Sequence, residues 1–131
     1  MGDRSNVLFK RRGKPFVAFY SHWSGRGLHA AALKIFAESK AAQGRADDPS
    51  YFTRIMIQSL MESEGSKSND ETGFGIAADE LPDNSYKLLV FWWDDFRSKA
   101  KPFYVAEKEI DRIDELAKKA IRADSRITES E

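Results

Sequence analysis

Apolar side chains alternate with other residues along the first part of the chain, at residues 4–10 and 14–21. An alternation with a period of two is typical of β-strands, and Gly13 supplies a turn residue between the two stretches. Both faces of each stretch are partly apolar. The pattern therefore predicts a β-hairpin that lies inside a sheet rather than at a bare edge.

The hydrophobic spacing then changes to three and four residues, which predicts helices at 27–43 and 48–62. The second helix has the clearest start, because Asp48 suits the N-cap and Pro49 suits the first helical position. Residues 62–70 are small, polar and charged, and they predict an exposed loop.

Strand patterns return after this loop, at 72–78 and 86–93. The stretch 86–93 is apolar on both faces apart from Lys87, so we expect it to hold a central position in the sheet. A short strand near 102–106 and a helix at 107–123 complete the predicted elements.

These elements follow the order β-β-α-α-β-β-(β)-α. Two hairpin-like pairs separated by a helical pair predict an α+β fold, with a mostly antiparallel four- to five-stranded sheet and helices packed on one face. The length of 131 residues fits a single domain, 1–131. The apolar side of the last helix should dock on the sheet, either within the chain or across a homodimer. It consists of Ile110, Ile113, Ala117, Ala120 and Ile121.

Composition limits the functions to consider. Lysine plus arginine and aspartate plus glutamate both number 21, so no overall field favours nucleic acid or a membrane. The lack of cysteine excludes disulfides, zinc–thiolate sites and cysteine nucleophiles, and it is compatible with a cytoplasmic protein. No apolar run reaches the roughly 20 residues that a membrane helix needs. The two histidines, His22 and His29, form no metal-binding motif, and no cofactor is expected.

The segment 20–25, Tyr-Ser-His-Trp-Ser-Gly, joins the end of a predicted strand to the start of a predicted helix. Such junctions often hold ligands, since unpaired helix N–H groups can receive anions. His22 suits a general base or a hydrogen-bond donor, or it simply tethers the strand end to the backbone. The loop through Gly25 and Gly27 either turns backbone N–H groups toward an anion, with Arg26 nearby, or only lets the chain turn.

Two glycines, Gly73 and Gly75, interrupt the strand pattern at 72–78. Glycine inside a strand marks a bulge or a close approach to the backbone. Either an aromatic ring such as Trp23 packs over the bare backbone, or a ligand does. In the second case, Glu71 would act as an acid, a base or a hydroxyl acceptor.

Four segments together resemble a family of small uncharacterised bacterial and phage proteins. They are Gly-Asp-Arg-Ser-Asn at 2–6, Tyr-Ser-His-Trp-Ser-Gly at 20–25, Asp-Asp-Pro-Ser-Tyr-Phe-Thr-Arg-Ile at 47–55 and Glu-Thr-Gly-Phe-Gly-Ile at 71–76. The resemblance extends over about residues 2–93 and leaves 94–131 as an extension that carries the predicted last helix. It implies a shared site of polar and aromatic residues: Asp3, Arg4, Asn6, Tyr20, His22, Trp23, Arg54, Glu71 and Thr72.

Three classes of function are compatible with these residues. The first is a binding module for a small polar, anionic ligand such as a nucleotide, in which Trp23 stacks on a ring and Arg4 or Arg26 meets the negative charge. The second is a metal-independent hydrolase or lyase with His22 as base and Glu71 as its partner. The third is a protein–protein interaction module. The phage members of the resembled family suggest, by analogy, a role in phage–host interplay.

Overall fold

A computed structural model describes residues 4–65, 73–80, 88–95 and 97–105 of the chain. In these ranges five strands and three helices follow one another in the order β1-β2-α1-α2-α3-β3-β4-β5. The strands are β1 (Ser5–Arg11), β2 (Phe16–Ser21), β3 (Phe74–Ala78), β4 (Leu88–Trp93) and β5 (Lys101–Val105), and the helices are α1 (Arg26–Glu38), α2 (Lys40–Gly44) and α3 (Pro49–Ser63). The predicted α+β fold is therefore confirmed.

The five strands form one sheet in the order β3-β2-β1-β4-β5. Neighbours are antiparallel except β1 and β4, which run parallel. The predicted second hairpin is wrong, because β3 pairs with β2 at one edge while β4 lies on the far side of β1. The residues explain this arrangement. All of β4 is buried and needs neighbours on both sides, whereas β3 is partly exposed, contains a glycine and suits an edge.

The predicted helix at 27–43 is two helices, because the chain leaves helical geometry at Ser39. Ser39 is extended (φ −80°, ψ 113°), and its hydroxyl accepts a hydrogen bond from the N–H of Ala42 at 3.1 Å, which caps α2. The side-chain amide of Gln43 donates to two carbonyls in the last turn of α1, at 3.1 and 2.7 Å. Both helix ends at this break therefore have hydrogen-bond partners.

Aromatic rings fill the space between the helices and one face of the sheet. The rings of Phe9 and Phe91 stack with 5.6 Å between their centroids. Phe52 of α3 lies 5.6 Å from Phe91 and 5.4 Å from Trp93. All four side chains are buried. Since burial of such a side chain contributes about 1.5–3 kcal/mol, this cluster holds the helices on the sheet.

The opposite face of the sheet is buried as well. Leu8, Ala18, Val90 and Trp92 alternate with the core-facing residues of their strands, and each is 0% exposed. This agrees with the prediction that the strand containing β4 is apolar on both faces. The predicted helix at 107–123, with the apolar side expected to dock on the sheet, lies outside the described residues.

The start of α3 is built as the sequence predicts. Asp48 is the N-cap, and its carboxylate accepts a hydrogen bond from the N–H of Tyr51 at 3.3 Å. Pro49 occupies the first helical turn. The buried side of the helix consists of Phe52, Met56 and Leu60.

We expect Asp48→Ala to lower the free energy of unfolding by about 1 kcal/mol, because one N–H group of the first turn loses its acceptor. Asp47→Ala is the matched control. Asp47 is exposed, so its removal should change stability by less than about 0.5 kcal/mol. Urea unfolding followed by circular dichroism measures both variants. Equal losses in the two would contradict the assigned cap.

Candidate functional site

The first residues of β1 and the last residues of β2 meet at one end of the sheet. Asn6 of β1 is the register partner of Tyr20 of β2, so their side chains share the face that points away from the helices. Arg4 directly precedes β1, and His22 directly follows β2. Four of the residues predicted from the sequence are therefore brought together at this strand end.

Tyr20, His22 and Trp23 form a row of rings there. The Tyr20 hydroxyl lies 2.8 Å from His22 Nδ1, at hydrogen-bond distance. The ring centroids of His22 and Trp23 are 4.4 Å apart with their planes at 75°, which is an edge contact. His22 is half-buried, whereas Trp23 is 64% exposed. We name Arg4, Asn6, Tyr20, His22 and Trp23 the strand-end cluster.

Two glycines next to the cluster have different surroundings. A Cβ atom on Gly73 would lie 3.2 Å from Trp23 Cδ1, so the indole packs directly over this glycine. The interpretation that Trp23 covers bare backbone is therefore confirmed at Gly73. The backbone N–H of His22 also donates to the Gly73 carbonyl at 2.8 Å. Gly75 is the register partner of Tyr20, and a Cβ there would meet no described atom within 4 Å.

The loop that carries Trp23 is anchored on the helical side of the sheet. The Ser24 hydroxyl lies 2.9 and 2.7 Å from the two carboxylate oxygens of Glu64, at the end of α3. The N–H of Ser24 donates to the Ser21 hydroxyl at 3.2 Å. Gly25 then adopts a φ of 51° before α1 begins, a conformation that suits glycine. Contacts on both sides of the sheet therefore fix the loop.

The same loop offers fewer N–H groups to an anion than the sequence suggests. The N–H of Gly27 donates to the Ser24 carbonyl at 2.8 Å, and the N–H of Leu28 donates to the Gly25 carbonyl at 3.1 Å. These two donors of the first turn of α1 are already engaged. The binding of an anion at this end of the sheet would therefore depend on side-chain donors more than on backbone N–H groups of the loop.

Two arginines that the sequence assigns to the site lie elsewhere. The Arg26 guanidinium is 6.0 Å from the ring centre of Tyr104, which pairs with Leu89 on the helical side of the sheet. Arg54 is exposed on α3 and donates to Gln58 at 2.8 Å. The strand-end cluster forms without either arginine. Three further predicted residues lie outside the described ranges: Asp3, Glu71 and Thr72.

Asn6 has the most unusual surroundings in the cluster. Its side chain is 0% exposed, and neither Oδ1 nor Nδ2 has a hydrogen-bond partner in the described part of the chain. The backbone carbonyl of Asn6 lies 3.1 Å from Nε2 of His29, which is buried in α1. Because a carbonyl can only accept, Nε2 of His29 carries a hydrogen. In the sequence, the only sign that His29 is a buried hydrogen-bond donor is its place beside Leu28, on the apolar side of a helix.

Two grooves lie at the opposite end of the sheet and contain no residue of the cluster. The first has a volume of about 570 Å³. Its lining contains basic, acidic and uncharged residues: Arg11, Arg45, Asp47, Asp48, Pro49 and Ser50. The second has a volume of about 530 Å³ and is lined by Phe36, Gln43, Ala46, Lys99, Ala100, Lys101 and Pro102. Among the described residues, no three His, Asp or Glu side chains come together as metal ligands would.

Comparisons of this chain with protein-family models, with curated proteins and with solved structures find no match. No helix in the described ranges combines the length and the apolar character that crossing a membrane requires.

We expect Gly73→Ala to displace the Trp23 ring, because the new Cβ would lie 3.2 Å from Cδ1. The ring has to shift by only a few tenths of an ångström, so the loss of stability should stay below about 1 kcal/mol. Trp92 and Trp93 are buried, so acrylamide quenching of fluorescence reports mainly on Trp23 and should increase in this variant. Gly75→Ala is the matched control and should leave quenching unchanged. Unaltered quenching in Gly73→Ala would contradict the packing of the indole on Gly73.

Proposed function

We propose that this protein binds a small polar ligand that carries a planar ring and a negative charge, as a nucleotide does. Trp23 is the observation that carries the proposal. Its side chain is 64% exposed, yet the ring is held by Gly73 and by the edge of His22. A large exposed ring adds little to the stability of the fold, whereas a fixed one offers a surface on which a base can stack.

The pair of Tyr20 and His22 adds a polar group with a defined direction. Their hydrogen bond of 2.8 Å engages Nδ1 of the imidazole, so Nε2 is the ring atom that can meet a ligand. In a neutral imidazole one nitrogen donates and the other accepts. The bond to Tyr20 therefore decides which role Nε2 takes. Because His22 is half-buried, a hydrogen bond between its Nε2 and a ligand is stronger than one in open water.

Arg4 supplies positive charge at the same strand end. It is exposed and directly precedes β1. A guanidinium can pair with two oxygens of one phosphate or carboxylate group. The chain as a whole carries 21 basic and 21 acidic residues, so the attraction of Arg4 for an anionic ligand is local to this end of the sheet. A local charge supports a small anionic ligand rather than a nucleic acid.

The proposal extends to the biological setting. Two of the segments that resemble bacterial and phage proteins, 2–6 and 20–25, supply the residues of the strand-end cluster. A phage-encoded protein whose ligand binding serves phage–host interplay is the setting that this resemblance supports.

Catalysis by a metal-independent hydrolase or lyase is a second candidate function. The hydrogen bond between Tyr20 and His22 Nδ1 orients the imidazole, as a general base needs to be oriented. Where the Tyr20 oxygen accepts from Nδ1–H, Nε2 is the nitrogen that can take a proton. Glu71, the proposed partner of His22, lies outside the described residues. Product analysis after incubation with nucleotides distinguishes the two functions. A His22→Ala variant that binds a nucleotide but has lost its conversion would support catalysis, whereas no product from the unaltered chain would contradict it.

Thermal-shift measurements with AMP, GMP and their cyclic forms test the binding proposal. A ligand at a hundred times its Kd adds about 2.7 kcal/mol to the free energy of unfolding. We expect such a shift for the unaltered chain and its loss in Trp23→Ala. Tyr51→Ala is the matched control, because Tyr51 is a 51% exposed ring on α3, and this variant should keep the full shift. No shift with any of these nucleotides, or a full shift in Trp23→Ala, would count against the proposal.

A further inference from the structure

The second groove at the far end of the sheet, with a volume of about 530 Å³, combines apolar surface with positive charge. Phe36 of α1 contributes an aromatic ring, and Ala46 and Ala100 contribute small apolar side chains. Lys99 and Lys101 contribute the charge, so we name this site the lysine groove. Clefts of this size and mixed lining are typical of sites for small molecules. No residue of the strand-end cluster lines it, so it is separate from the binding site proposed above.

Hydrogen bonds join the walls of the lysine groove to one another. The Ala46 carbonyl accepts from the N–H of Ala100 at 2.8 Å and from Nε1 of Trp93 at 2.7 Å. These two bonds connect the segment between α2 and α3 to β4 and to the segment before β5. On the other wall, the side-chain amide of Gln43 donates to the Phe36 carbonyl at 3.1 Å. A groove whose walls are already fixed loses little freedom when a ligand binds.

Phe36 is the largest apolar contributor to the lysine groove. It lies on the border of the core, where its ring centroid is 5.8 Å from that of Phe52 and 5.3 Å from that of Phe91. Phe36 is nevertheless only half-buried, and it lines the groove as well as the core. An apolar chain in the groove would therefore remove further apolar surface from water, which favours binding.

The charged residues of the lysine groove have one sign. Lys99 is exposed and Lys101 is half-buried, and the lining contains no carboxylate among the described residues. Asp94 shares a neighbouring cavity of about 30 Å³ with both lysines, but its carboxylate also bonds Arg12 at 3.0 Å. Asp47 belongs to the lining of the other groove. A negative group in the lysine groove would therefore meet two ammonium groups and no acidic side chain of its lining.

We propose that the lysine groove binds a small carboxylate with an apolar chain, such as a medium-chain fatty acid. The chain would lie on Phe36 and the two alanines, and the carboxylate would accept hydrogen bonds from the lysine ammonium groups. Charge-assisted bonds of this kind are stronger than those between neutral groups. Both parts of the ligand are needed, because the groove offers apolar surface and charge side by side. The volume of the groove suits a small molecule of this class.

Octanoate is the probe for this proposal, and two-dimensional amide NMR spectra of the full chain are the readout. We expect saturable shifts of two signals from the groove, the N–H of Ala100 and the side-chain amide of Gln43. The indole N–H of Trp23, in the strand-end cluster, should not shift. Acetate lacks the chain and octanol lacks the charge, so each should bind at least about fivefold more weakly than octanoate.

Lys99→Glu tests the contribution of charge. This variant should bind octanoate at least about fivefold more weakly than the unaltered chain, and it should bind octanol equally well. Lys34→Glu is the matched control, because Lys34 is also exposed but lies on α1 outside the lining. It should keep the full affinity for octanoate. Because both positions are exposed, the urea midpoints of both variants should remain close to that of the unaltered chain.

Several outcomes would overturn the proposal. The absence of saturable shifts at Ala100 and Gln43 would exclude the site, and equal binding of octanol and octanoate would exclude the role of charge. Unchanged octanoate affinity in Lys99→Glu, or an equal loss in Lys34→Glu, would exclude the assigned lysine. Shifts of the same signals on concentrating the chain alone would indicate a second copy in the groove. Tighter binding of a polyglutamate peptide than of octanoate would indicate an acidic peptide instead.

Discussion

The parallel pairing of β1 with β4 is the constraint on which the rest of the structure depends. β1 occupies the centre of the sheet, with β2 antiparallel on one side and β4 parallel on the other. A parallel neighbour cannot be reached by a tight turn, so the chain has to travel outside the sheet between the two strands. The three helices lie in that connection, and their apolar sides pack on one face of the sheet. The pairing therefore requires a long connection outside the sheet, and that connection contains the helical layer.

The central strand also determines where the candidate site lies. Val7 and Phe9 face the helices and join the core, whereas Asn6 and Leu8 face the other way. Because β1 has a neighbour on each side, its side chains keep fixed directions up to the strand end. The flanking loop adds Trp23, and contacts of the loop with Glu64 after α3 and with Gly73 before β3 hold it against that end. A site on a fixed strand is more accurately positioned than one on a loop alone.

The parts of the fold and of the candidate site that the sequence predicts are those that depend on neighbouring residues. The cap at Asp48 and the alternation along the strands each depend on a few neighbouring residues, so both could be predicted. The break at Ser39 could not, because it depends on a hydroxyl that competes with the helical backbone. The pairing of β4 with β1 joins residues distant in the chain, and no local spacing records it. At the site, Tyr20, His22 and Trp23 stand together in the sequence, whereas nothing in the spacing indicates that the Asn6 amide is buried with no hydrogen-bond partner among the described residues.

Large apolar rings are usually buried and polar side chains are usually exposed. Trp23 and Asn6 are opposite exceptions, because the indole is exposed to water and the amide is buried. Neither exception threatens the fold. An unpaired buried polar group costs about 1–3 kcal/mol, which is similar to the gain of about 1.5–3 kcal/mol from burying one further aromatic side chain. Substitutions that remove such costs are easy to find. The presence of both exceptions at one strand end is therefore a local conflict between the sequence and the fold. A planar ligand stacked on Trp23 would remove the first of these exceptions, because its face would cover the indole.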